Sequence, residues 1–409
     1  MRRTQWLDFL RSAVLLVAAV AVVRGSASAL GTEQTVYSFT GGTDGGGPHT
    51  GLVFDSLGNA YGTTVTGGIS GCGTVFKLTP STGQEQVLWN FGCFADGKNP
   101  YGGVAFDGAG HLFGTTVAGG TGGVCVGDGC GEVYELTTAG ITVLYSFKGG
   151  NDGFGPGSAL VFDKAGHLFG MTPDGGQFSS GTVFELSKAS GHWVHTVIHN
   201  FTGGADGATG SLGPLLVAHD GTLYGVAETG GGSAGAGAVF KMSPARGGGW
   251  NFVTLHQFKG MPDGYGPYGG LVADAKGNLF GTTYFGGSSG NGTIFEMIPM
   301  RGGKWSELVL RSFQGGSDGS WPTGTLILSS DGKTLYGTTT AGGTTSCDCG
   351  TIFRYSRGDG IEQVMHRFGA GNDGQAPYYA LAADPSGNLF STAVAGGQHG
   401  QGTVFNFVP

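Results

Sequence analysis

One phenylalanine recurs seven times along this 409-residue chain, at Phe39, Phe91, Phe147, Phe201, Phe258, Phe313 and Phe368, with intervals of 52 to 57 residues. Five residues after each comes Asp-Gly, at Asp44, Asp96, Asp152, Asp206, Asp263, Asp318 and Asp373. An offset kept in all seven copies is not chance. A repeat of this length means one supersecondary unit used seven times. The 88 glycines would suggest low complexity if they lacked a period. Here they recur at fixed places and read as turn residues.

Each copy reads as four short strands. Examples are Gly51 to Asp55, Leu112 to Thr116, Gly181 to Leu186 and Thr142 to Phe147. They are rich in β-branched and aromatic residues and bounded by Gly, Asp and Ser. No sustained helical period follows residue 29. Four strands per copy is the unit of a propeller blade. The spacing therefore predicts an all-β, seven-bladed β-propeller over residues 30–409, with a β-solenoid as runner-up. The lone strand from Gln34 to Phe39 is expected to complete the last blade, whose own segment ends on a third strand, Gly402 to Phe407. That pairing would remove open sheet edges, which are aggregation hazards. The Asp-Gly and Gly-Gly loops should share one face, here called the top.

The recurring Y-S-F-x-G-G-x-D-G-x-x-P, G-L-V-F-D-x-x-G-N-x-Y-G-T-T and G-T-V-F-K-L-T resemble the GloVer (Gloeo-Verruco) tandem repeat. The resemblance covers residues 34–409. It implies an exported bacterial repeat protein and no settled activity. Relatives carry C-terminal surface anchors, whereas this sequence stops at Phe407-Val408-Pro409, so anchoring is not carried over.

Residues 1–29 read as a signal peptide: Arg2, Arg3 and Arg11, an apolar run from Ser12 to Val23, and Ala27-Ser28-Ala29 before the cleavage point. A run this short does not span a bilayer comfortably. The expected location is secreted or periplasmic, with no membrane insertion after cleavage. Residues 30–409 hold 16 Lys and Arg against 27 Asp and Glu. That balance argues against nucleic acid and anionic membranes. The partner expected is an extracellular glycan or protein, and the chain is expected to be a monomer.

Six cysteines in an exported chain favour disulfides. Fifteen pairings are open. Sequence proximity suggests Cys125 with Cys130 and Cys347 with Cys349. Cys72 and Cys93 fall in neighbouring top loops and form the third candidate pair. No C-x-x-C occurs, which argues against a four-cysteine zinc site.

The repeat frame filters the candidate sites. One carboxylate per Asp-Gly loop is too few for a calcium shell, so each Asp is read as the cap of a tight turn. No cofactor or metal is predicted. His199, His256 and His366 share one slot, two before the marker Phe, on separate blades, and are read as structural. Departures from the repeat on the top face remain. Asp174 and Glu228, in the Gly-Gly loops of adjacent blades, could form a carboxylate pair for acid–base work. The surplus rings Tyr101, Phe154, Tyr265, Tyr268, Tyr284 and Trp321, with His399, could contact a ligand. Three functions follow: a non-enzymatic binding module, a polysaccharide-active hydrolase or lyase, and a structural surface or matrix protein. No convincing catalytic motif favours the second.

Overall fold

A computed structural model describes residues 31–121, 123–125, 127–343, 347–369 and 372–409. The signal-peptide reading of residues 1–29 lies outside the described residues. Seven antiparallel sheets form a ring, one per repeat; six have four strands, and that of blade 4 has a fifth, Ala208–Gly210, beside Leu223–Thr229. In blade 1 the strands are Val53–Phe54, Ala60–Thr64, Thr74–Thr79 and Gln84–Asn90, from the inside outward. Blade 7 takes Ala382–Ala383, Leu389–Ala393 and Thr403–Val408 from its own repeat. Its fourth strand is Thr32–Ser38, which runs antiparallel to Thr403–Val408 with Thr32 opposite Val408. The fold is a seven-bladed β-propeller.

The core lies between blades, not inside one sheet. Seven apolar clusters fill the seven interfaces. The marker Phe of every repeat is buried in one of them. A third-strand aromatic packs beside it: Phe76, Tyr134, Phe184, Phe240, Phe295, Phe353 or Phe405. This ring needs room on the second strand. A Cβ on Gly62 would stand 2.8 Å from the Phe76 ring, which explains glycine at that slot in six blades.

The repeat Asp holds a donor pair in every blade. Its carboxylate accepts the N–H of the residue after the marker Phe, as Asp152 does from Lys148 at 2.8 Å. It also engages the side chain two before that Phe. The partners are Tyr37, Trp89, Tyr145, His199, His256, Arg311 and His366. These residue types share the ability to donate a hydrogen bond to a carboxylate. The three histidines are thus interchangeable with Tyr, Trp and Arg at a turn. Asp206→Ala would strand His199 Nε2 and the Thr202 N–H, both held at 3.0–3.2 Å. We expect a loss of about 2–3 kcal/mol in denaturant unfolding.

Candidate functional site

The top face is built by one contact repeated seven times. The residue two after the repeat Asp pairs with the residue immediately before Gly-Gly in the same blade's loop. The pairs include Gly46 with Thr66, Phe154 with Asp174, Tyr265 with Phe285 and Gln375 with Ala395. The next residue then donates its N–H to the preceding blade. Trp321 bonds Asn291 O at 3.0 Å, Ala376 bonds Cys349 O at 2.8 Å and Gly47 bonds Gln401 O at 2.8 Å. All seven residues at this slot have positive φ: Gly47, Asn99, Gly155, Thr209, Gly266, Trp321 and Ala376. A left-handed backbone suits Gly and Asn. For a bulky side chain such as Trp321, at φ 60, it is strained.

Rings converge where these slots meet the central channel. Tyr284 stacks on Trp321, centroids 5.7 Å apart at 23°. Phe285 lies 6.2 Å from Trp321 and 6.1 Å from Tyr265. Tyr268 contacts Tyr284 at 6.0 Å and Tyr378 at 5.7 Å. His49 joins Tyr101 at 5.1 Å to Tyr378 at 5.5 Å, with Tyr379 at 5.8 Å. The arrangement has an exposed rim, with Phe285 at 41% and Tyr265 at 38%, above half-buried tyrosines.

Glu228 is the first of the two residues before Gly230-Gly231 in blade 4 and is half-buried. Burial lifts its carboxyl above the usual range. Its charge helps push up the hydroxyls of Tyr268, Tyr284 and Tyr378, each of which is raised mainly by burial. Burial lowers His49 to about 4, so its ring is neutral at physiological pH. His49 Nδ1 and Tyr379 Oη are buried without a hydrogen-bond partner.

The structure therefore brings together Trp321, Tyr284, Tyr265, Tyr268 and Tyr101 from the sequence reading, through their ring contacts. It does not bring in the rest. Phe154 is exposed in the blade 3 loop and has no ring contact with the cluster among the described residues. His399 is exposed in the blade 7 loop. Asp174 is also exposed, and burial alone acts on Glu228. Asp174 stands immediately before Gly-Gly and Glu228 two residues before it, and successive side chains of an extended segment face opposite ways. His49 and Tyr379 were not singled out from the sequence. His49 fills the slot after proline that holds Tyr101, Tyr268 and Tyr378, and Tyr379 departs from its own slot of small residues.

Three disulfides brace the top loops: Cys72–Cys93, Cys125–Cys130 and Cys347–Cys349, with Cα–Cα distances of 5.4, 5.3 and 5.2 Å. A separate cleft of about 320 Å³ opens between the lower ends of blades 2 and 3, lined by Phe106, Phe162, Lys164, His167, Lys188 and Trp193.

A family model, described as the Gloeobacter/Verrucomicrobia repeat, matches residues 58–273 and 213–409. The chain belongs to this family. No curated protein matches its sequence. Among solved structures, this member of the Gloeobacter/Verrucomicrobia repeat family is similar to the extracellular domain of a protein described as a hybrid two-component system from B. thetaiotaomicron. That match has TM-score 0.56 and 12% identity, covering 93% of this chain and 41% of that one. PorZ, a bacterial surface component of the type-IX secretion system of Porphyromonas gingivalis, matches with TM-score 0.52 and 14% identity over 87% of this chain and 46% of that one. A protein described as a 6-phosphogluconolactonase from Bacteroides uniformis matches with TM-score 0.51 and 16% identity over 81% and 89%. The chain thus spans less than half the length of the first two. At these identities the likeness is one of fold, and propellers host many functions.

Proposed function

We propose that the chain is an exported, non-enzymatic propeller module that binds an extracellular glycan or protein through its top face. The observation that carries this reading is the ring cluster at the channel mouth, with Tyr284 stacked on a backbone-strained Trp321. Partly exposed aromatics beside polar groups suit the flat faces of sugar rings and the anchor residues of protein partners. Export is supported by the apolar segment near the N-terminus and by three disulfides. The likeness to an extracellular domain and to a surface component agrees with it.

The hydrolase or lyase reading needs Asp174 and Glu228 to act on one substrate. Their different slots and different burial weigh against it. A glycan array and a panel of purified extracellular proteins test the binding reading. At least one ligand should be found, and Trp321→Ala should weaken it about tenfold to a hundredfold. An empty screen, with Trp321→Ala silent in every assay, would leave the structural-protein reading instead.

A further inference from the structure

The lower end of the ring repeats one arrangement of charge. Opposite the second-strand aromatic, the third strand carries a cation in three blades: Lys77, Lys241 and Arg354. Blades 2, 3 and 5 carry Glu135, Glu185 and Glu296 there instead. Each of these meets the Asp of its own blade's lower turn, so two carboxylates converge. In blade 5 a cation borrowed from blade 6 closes the pair. Arg357 Nη2 donates to Asp274 Oδ2 at 3.1 Å and to Glu296 Oε1 at 3.2 Å.

Blade 2 has no such cation. No Lys or Arg pairs with Asp107 or Glu135 among the described residues. His111 Nδ1 takes the place of the guanidinium nitrogen, 3.2 Å from Asp107 Oδ2 and 3.0 Å from Glu135 Oε1. An imidazole Nδ1 carries at most one hydrogen, so it cannot serve both oxygens in full. Neither contact has the direction of a hydrogen bond, whereas His199, His256 and His366 do bond their Asp through Nε2. Metal bonds of about 2.0–2.2 Å at tetrahedral or octahedral angles set neighbouring donors about 3.0–3.4 Å apart. The blade 2 donors have that spacing. Their side chains are 40%, 23% and 19% exposed for His111, Asp107 and Glu135, so an ion reaches them from solvent. All six cysteines are in disulfides, so no thiolate competes for it. Blade 3 repeats the trio more loosely. His167 Nδ1 is 3.1 Å from Asp163 and 3.4 Å from Glu185, and Glu185 already accepts from Trp250 Nε1.

We infer that Asp107, His111 and Glu135 bind one divalent transition-metal ion at the lower end of blade 2, in the position that Arg357 fills in blade 5. One imidazole and two carboxylates suit Zn²⁺, and three protein donors leave the remaining coordination to water. The site is independent of the top-face reading.

Calorimetric titration of the untagged, folded chain with Zn²⁺, after treatment with a chelator, tests it. One ion should bind per chain and raise the melting temperature, because an ion held only by the folded chain stabilises it. His111→Asn should weaken binding at least about tenfold. Asn59, Asn278 and Asn388 fill this slot in blades 1, 5 and 7 and donate to their turn Asp at 2.7, 3.0 and 2.9 Å, so the variant should melt without metal as the unmodified chain does. Glu135→Lys gives blade 2 the residue of blades 1 and 4, and it should abolish binding while keeping the fold. His167→Asn should leave the titration unchanged. No uptake of Zn²⁺ by the unmodified chain, binding undiminished by His111→Asn, or binding lost with His167→Asn alone overturns the inference.

Discussion

Phe39→Ala should destabilise the chain by about 3–5 kcal/mol, the cost of removing a large buried aromatic from a packed core. Phe39 is fully buried in the cluster between blades 7 and 1, against Leu52, Phe76, Phe390 and Val404. It follows directly on Thr32–Ser38, the strand that completes blade 7. That interface is further tied by Thr392 Oγ1 donating to Thr50 O at 2.8 Å. Phe201 fills the same slot between blades 3 and 4, where neighbouring strands come from adjacent repeats. The two alanine variants should therefore lose similar amounts in urea unfolding. A loss below about 1 kcal/mol for Phe39→Ala, beside a full loss for Phe201→Ala, would mean that this strand does not seal the ring.

The second large effect concerns pH. Six residues before the marker Phe, four outer strands carry Glu33, Glu85, Glu307 and Glu362 beside the repeat Asp of the preceding blade. Glu362 and Glu33 have side chains only 3% and 8% exposed. Burial, reinforced by the neighbouring Asp, raises Glu33 and Glu85 to about 7, Glu362 to about 8 and Glu307 in the same direction. A carboxyl raised on folding binds its proton more tightly in the folded chain. Its contribution is present below the unfolded value near 4.5 and lost as pH rises through the folded value. Buried histidines such as His49, lowered on folding, act the opposite way below their ordinary value of 6.5, so stability should fall between about pH 6.5 and pH 8, by about 2 kcal/mol for the most buried groups. Glu362→Gln should flatten part of that slope. A melting temperature that rises from pH 6.5 to pH 8 would contradict this account.

The fold was legible because every blade repeats the same local chemistry. The Asp-Gly turns, the second-strand glycines and the marker Phe each answer to neighbours inside a known frame. The histidine slot was read as structural from its register alone, and the structure adds the reason: the turn Asp needs a donor there. The buried Glu–Asp pairs were not legible, since Glu362 meets Asp318 across a blade interface that no local pattern encodes. The site was legible in part. Departures from the repeat picked out Trp321 and Tyr284. Asp174, however, was matched to Glu228 by loop and not by slot, and strand alternation separates neighbouring slots. His49 was passed over because it sits among tyrosines in an ordinary repeat position, where only the unpartnered Nδ1 marks it.

The central claim is that function resides in the departures at the top of the channel and not in the repeat itself. Trp321→Ala and Trp193→Ala test it together, because one removes a ring from the top cluster and the other a ring from the lower cleft. The measurement is the dissociation constant of each variant for a ligand found with the unmodified chain. Trp321→Ala should weaken binding by about tenfold or more while Trp193→Ala leaves it unchanged. Binding lost with Trp193→Ala and kept with Trp321→Ala would place the site on the opposite face and contradict the account.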